Sequence, residues 1–379
     1  MDQPNLTLVD RRAARRTDSP RPLWPALLAM LLLGAAGLAT VVGVDSVRRP
    51  LQPKRVAQEA LQQALELGNK SPEVRTKLLE MRRVLGRRPL ETRIRVVYAS
   101  MLVGLSGRLE DTQAAAFHAS RAAELSPVTV PVVQLAAQVL ARTGQADEAL
   151  QLTRRMFGYD RGAAAELLAQ LEPLVFSDRL EIGLADDPDA WLAWSYRLRT
   201  GGRGAEADRW IDRAHGRWPD HMPTLHLVAA RAVRQEDWQR LAELIPPERP
   251  LPDEPPAAAV LLDRARLRIE RGDREGAQAD IDRALDLAGE ARTVRILAGE
   301  AYEALGRIEG ARQQWGRALN ELGSDQATLR RDILVRMARL EDRHGRPAAA
   351  LRLWRSILDL DAEHVEARRR VDDLTNFQR

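Results

Sequence analysis

"LAGEAYEALGRIEGARQQWGRAL", running from Leu297 to Leu319, decides how this chain is read. Its apolar residues recur at helical spacing on either side of Gly306, which predicts two short helices joined at that glycine. The small residues are the unusual part. Gly299 lies seven residues before Gly306, Ala311 five after it and Ala318 twelve after it. A helix normally carries bulkier side chains at such positions.

The same offsets return along the chain. Gly272, 34 residues earlier, has Ala265, Ala277 and Ala284 in the matching places. A further 36 back stands Glu236, with Ala229 keeping the first small position. Another 34 back lies Gly202, with Ser195, Ala207 and Ala214. Gly144 carries Ala137 and Ala149, and Gly345, 39 residues after Gly306, carries Ala338 and Ala350. One unit would say little, because Ala and Gly are common. Several in near register predict a repeat array.

The spacing has a physical reason. Two helices can approach closely only where the side chains at their contact are small. A glycine between them lets the first end in a left-handed residue. Each pair is too small to bury its own apolar face, so neighbours must stack. Leu305, Ile308, Trp315 and Leu319 are then expected in the core within or between units.

A recurrence near 34 residues with these offsets resembles the tetratricopeptide repeat family. The match includes Trp191 near the start of a first helix, the small residue in that helix, the turn glycine and two alanines in the second helix. Pro127 and Pro219 close their units as the family's terminal proline does. The resemblance covers Arg93 to Ala367 and implies an all-α fold, a right-handed α-solenoid of stacked helix hairpins. The repeat region is placed at 89–367, divergent at 158–187, where one degenerate helix pair is expected. "IPPERPLPDEPP", within 245–256, cannot be helix and reads as an extended connection, either a hinge or a surface insertion. Residues 368–379 end a polar capping helix, and 45–88 form a linker with amphipathic helices.

The first residues read differently. Leu23 to Val44 is 22 residues without a charge, about 33 Å long as a helix. With Trp24 at one edge and arginines on both sides, it is expected to be a single transmembrane helix. A cleavable signal peptide, with Gly37 and Ala39 at the small positions, is the rival reading. Residues 1–22 are a basic tail, expected to be disordered and cytoplasmic, which places the solenoid outside a bacterial inner membrane.

Composition narrows the chemistry. There are 58 basic and 54 acidic residues, a formal charge of only +4, so nucleic acid is not expected as a partner. Cysteine is absent, which removes disulfides, thiolate metal sites and cysteine nucleophiles. The six histidines show no metal-ligand spacing; His221 and His226 lack a third ligand. "TGGRGA", from Thr200 to Ala205, follows a helix and lacks the Lys-Ser/Thr of a phosphate loop. No serine sits in a nucleophile elbow. No enzymatic activity, metal or cofactor is expected.

An array of this kind binds. In the family it resembles, ligands meet first-helix residues ten, six, three and two before the turn glycine. Carried over residue by residue, these are Gln134, Gln138 and Arg142; Tyr196 and Arg199; His226 and Arg234; Arg266 and Glu270; Glu300 and Glu303; and Arg339, Asp342 and Arg343. The family's Lys/Asn pattern for clamping a terminal carboxylate is missing. The resemblance thus implies a membrane-tethered scaffold or adaptor for protein or peptide partners, in envelope assembly, secretion or polysaccharide export. Two other readings stand beside it. One is a carbohydrate-binding or envelope-enzyme accessory factor using Trp191, Trp194, Trp210 and Trp218 as a stacking platform; the other is an adaptor facing the cytoplasm.

Overall fold

The computed structural model describes residues 72–105 and 109–377, and within them the secondary structure is helical throughout. The transmembrane expectation at Leu23–Val44 lies outside the described residues. Among the described ones, no helix is long and apolar enough to cross a membrane. The chain divides into two compact units, with the boundary between Ala193 and Trp194.

The described part of the first unit begins with α1 (Pro72–Arg87), α2 (Thr92–Leu105) and α3 (Leu109–Leu125). It continues with α4 (Val130–Arg142), α5 (Ala146–Phe157), α6 (Arg161–Leu171) and the four-residue α7 (Leu180–Gly183). Helices α2 and α3 pair, as do α4 and α5, and α2 also packs beside α4. Ala115, Ala119, Ala122, Ala136 and Ala137 have no exposed surface, so backbones meet closely here too. Within 158–187 the second helix shrinks to α7. Gly183 lets it seat on the core, since a β-carbon there would lie 2.8 Å from Leu168 Cδ1 and 3.0 Å from Leu150 Cδ2.

The second unit starts inside α8 (Pro188–Thr200) and runs through α9 (Gly204–Arg217), α10 (Met222–Arg234) and α11 (Trp238–Leu244). Then come α12 (Ala258–Glu270), α13 (Arg274–Ala288), α14 (Arg292–Leu305) and α15 (Ile308–Asn320), followed by α16 (Ala327–Arg343), α17 (Pro347–Leu360) and α18 (Val365–Phe377). Helices pair as α12 with α13, α14 with α15, and α16 with α17, while α18 covers α17. First helices also pack side by side, α10 on α12 and α12 on α14.

The turns follow the repeat register. Gly144, Gly202, Gly272, Gly306 and Gly345 all have φ between 64° and 84°, the left-handed region that closes a helix. Glu236, which fills the glycine's place in its repeat, takes the same conformation at φ 55°. The register therefore dictates backbone geometry even where the side chain disfavours it.

The Pro-rich interruption follows the seven-residue α11 as irregular chain with a turn at 247–248. Contrary to the extended reading it ends in a 3-10 turn, Pro255–Ala257, because proline suits the first position of a helical turn, and it is clamped down. Arg264 donates to the Arg249 carbonyl at 2.7 Å, Arg268 to the Pro247 carbonyl at 2.9 Å and Arg283 to the Leu251 carbonyl at 2.7 Å. Its own Ile245 and Leu251 are buried. The segment behaves as a strap tied to α12 and α13.

Candidate functional site

The residues carried over from the repeat register lie on first helices, but most of their side chains are engaged, chiefly with residues outside that set. In the first unit, Gln138 is buried and donates to Gln170 of α6 at 2.6 Å, and Gln134 reaches the Ala163 carbonyl at 3.5 Å. Arg142 is half-buried, and that burial presses its pKa below the ordinary guanidinium value. The two glutamines serve the join between α4 and α6 as much as an open face.

In the second unit the same positions build a ladder of charges. His226 of α10 meets Asp263 of α12 at 2.7 Å. Arg266 of α12 donates to the Glu300 carbonyl at 3.3 Å. From α14, Glu300 pairs with Arg336 and Glu303 with Arg343, both on α16. Arg339 of α16 donates to Glu366 of α18 at 2.8 Å. Asp342 accepts from Arg370 of α18 and from the Trp354 indole, each at 2.9 Å. Arg199 pairs within its own hairpin, with Asp208 at 2.6 Å. Glu270 and Arg234 are exposed, and Tyr196 presents 71% of its surface.

Burial gradates along this ladder. At the α10–α12 step, burial alone would lower the His226 pKa, but the charge and hydrogen bond of Asp263 outweigh it, and the net direction is upward. Burial raises the Asp263 carboxyl as well. Glu300 is also raised by burial, against the pull of Arg336 and Arg266. At the α16 end the arginines are open: the side chains of Arg336, Arg339 and Arg343 are 46%, 53% and 61% exposed. Among the described residues no group of three or more His, Asp and Glu is placed to hold a metal ion.

Four ladder members escaped the register rule: Asp263, Arg336, Glu366 and Arg370. Asp263 and Arg336 each stand nine residues before their turn glycine, Gly272 and Gly345, one place off a chosen position. At that offset the other repeats carry Leu or Ala, Leu227 and Leu297 among them, so a charge standing where its neighbours are apolar was the available signal. Glu366 and Arg370 lie on the capping helix, which has no turn glycine to count from.

The tryptophan platform is corrected by burial. Trp191, Trp194 and Trp210 are 4%, 0% and 7% exposed, and the last two meet edge to face at 6.5 Å. Stacking a sugar needs an aromatic face open to solvent, and these faces are used in packing.

Comparison with known protein families and with curated proteins gives no match. Among solved structures, the chain is similar to the APC/C hetero-tetramer Cut9-Hcn1, at 13% identity and TM-score 0.40, covering 93% of this chain and 69% of that one. It is similar to the human IFIT1 dimer with m7Gppp-AAAA, at 12% identity and TM-score 0.38, covering 91% and 85%. A third is the C-terminal part of a TPR repeat-containing protein from Cytophaga hutchinsonii, at 12% identity and TM-score 0.30, covering 73% and 99%. Such distant likeness adds nothing to what the chain's own geometry says. With its paired helices, buried small residues and left-handed turns in register, the chain is in fold an all-α helical-repeat protein.

Proposed function

We propose that the chain is a protein-interaction scaffold that receives a peptide or protein on the first-helix face of its second unit. The observation that carries this reading is the gradient along the ladder. Arg336, Arg339 and Arg343 hold their carboxylates while remaining about half exposed. Such open pairs contribute only about 0–1 kcal/mol each, so a partner's charges can exchange with them at little cost. Tyr196, open at the other end of the unit, adds an amphipathic contact of the kind enriched at interfaces.

The finer setting is part of the proposal. Leu23–Val44 would tether the scaffold to a bacterial inner membrane, with the repeats outside, in envelope assembly, secretion or polysaccharide export. The uncharged run and its flanking arginines support the tether. Photocrosslinkers placed in cells at Tyr196 and Arg343 of the full chain should capture a stoichiometric protein, while one at Arg355 on α17 should not. A lone monomer at all three positions would sink the scaffold reading. A reporter fused after Arg379 that works only in the cytoplasm would reverse the topology alone.

A further inference from the structure

Three arginines of the described chain are almost fully buried: Arg95, Arg264 and Arg295. Two of them have carboxylate partners. Arg264 makes a two-pronged contact with Asp280 at 2.7 and 2.9 Å. Arg295 meets Glu290 at 2.8 Å and also pairs with Glu321. Arg95 has no carboxylate among the described residues. Its partners are Nδ1 of His118 at 3.1 Å and the Pro89 carbonyl, and its Nε is buried without any partner. A buried cation left without a counter-ion is unfavourable unless something anionic completes it.

The surroundings point the same way. Because Arg95 only donates, His118 Nδ1 must accept, which leaves the ring's proton on Nε2 as a second donor. Burial first, and then the charges of Arg95 and Arg82, hold His118 below the ordinary imidazole pKa. Arg82 of α1 is exposed and close enough to act on both His118 and Tyr98, and Arg121 of α3 acts on Arg95. The opposing charges are few. Asp111 acts on Tyr98, and Glu124 pairs with Arg121 at 2.6 Å in an exposed contact within one helix. Such a pair is easily exchanged. Phe117, 64% exposed, stands edge-on to the His118 ring and gives the corner an apolar border.

We propose that this corner of the first unit, where the Arg95–His118 pair joins α2 to α3 within the electrostatic reach of Arg82 and Arg121, is an oxyanion site. A carboxylate or phosphate group accepts from His118 Nε2, with Arg82 and Arg121 adding attraction, and supplies a negative charge that no described residue gives Arg95. The site is separate from the first-helix face of the second unit, and it stands or falls independently of the scaffold reading.

The test uses the full chain with labelled histidines, observed by NMR at pH 7.5. Inorganic phosphate and acetate are titrated separately at constant ionic strength against chloride. Saturable shifts concentrated on His118 among the six histidines are expected with one or both anions, and which anion acts tells phosphate from carboxylate recognition. The double variant Arg82→Gln/Arg121→Gln, altered only at exposed positions, should weaken binding at least tenfold. In Arg95→Met the melting temperature should respond equally to phosphate or acetate and to chloride, whereas the unaltered chain should gain specifically from the oxyanion. No saturable response with either anion, or binding undiminished in the double variant, overturns the proposal even if Arg95→Met does not fold.

Discussion

Trp315 occupies the space that a side chain on Gly299 would need. A β-carbon at Gly299 would lie 2.3 Å from the indole Nε1, and that nitrogen donates to the Ile296 carbonyl at 3.1 Å. The indole is fully buried in a cluster with Ala311, Ala318, Leu322, Ile333 and Leu340, so it has nowhere to retreat. Gly299→Ala should therefore destabilise the second unit by about 1–3 kcal/mol through overpacking. Urea unfolding followed by tryptophan fluorescence measures it. An unchanged midpoint would mean that the indole can move.

Glu236 offers the opposite substitution. Left-handed backbone costs a residue with a β-carbon about 1–2 kcal/mol, and glycine escapes this at some expense in unfolded-chain entropy. Glu236→Gly is expected to stabilise the protein by about 0.5–1 kcal/mol net. A melting temperature that falls instead would show that the glutamate side chain contributes something its backbone strain conceals.

The proline-rich strap depends on a buried pair. Arg264 and Asp280 are 5% and 3% exposed, and Arg264 also holds the strap at the Arg249 carbonyl. Asp280→Asn leaves the guanidinium buried beside a neutral amide and should cost about 3–5 kcal/mol. The strap should loosen with it, so a protease that cleaves after glutamate should cut at Glu248 faster in the variant than in the parent chain. Equal cutting rates would show that the strap is held by its other contacts.

The His226–Asp263 step predicts a pH dependence. Both groups bind their proton more tightly in the folded chain than in the unfolded one, through the Asp263 charge and hydrogen bond at His226 and through burial at Asp263. Raised pKa values stabilise at low pH, and that contribution fades as pH rises through the folded values. Arg234, Arg266 and Glu300 face the pair and moderate it. Stability should thus decline as pH climbs above the ordinary histidine value of 6.5, and His226→Gln should remove that part of the slope. A profile of identical slope in both proteins would place the titration elsewhere.

Much of the architecture was legible beforehand because a repeat writes itself along one dimension. The offsets around Gly306 named the turns, the buried alanines and even the left-handed Glu236, since helix periodicity and turn stereochemistry act over a few residues. The charged face was legible only in outline. Counting back from turn glycines found Glu300, Glu303, Arg339 and Arg343 but missed Asp263 and Arg336, because a fixed offset ignores how each helix is rotated on its neighbour.

The repeat register, the paired helices and the residues that had to be small follow from local spacing and from the volume available between two helix axes. Which charge meets which does not. His226 finds Asp263 across 37 residues, Glu300 finds Arg336 across 36, and Glu303 finds Arg343 across 40. Those pairings require the rise and rotation from one hairpin to the next, a property of packed side chains rather than of any single segment. The same holds for the burial of Trp194, which turned a candidate platform into core, and for Arg95, which meets His118 but no carboxylate among the described residues once α2 and α3 have come together.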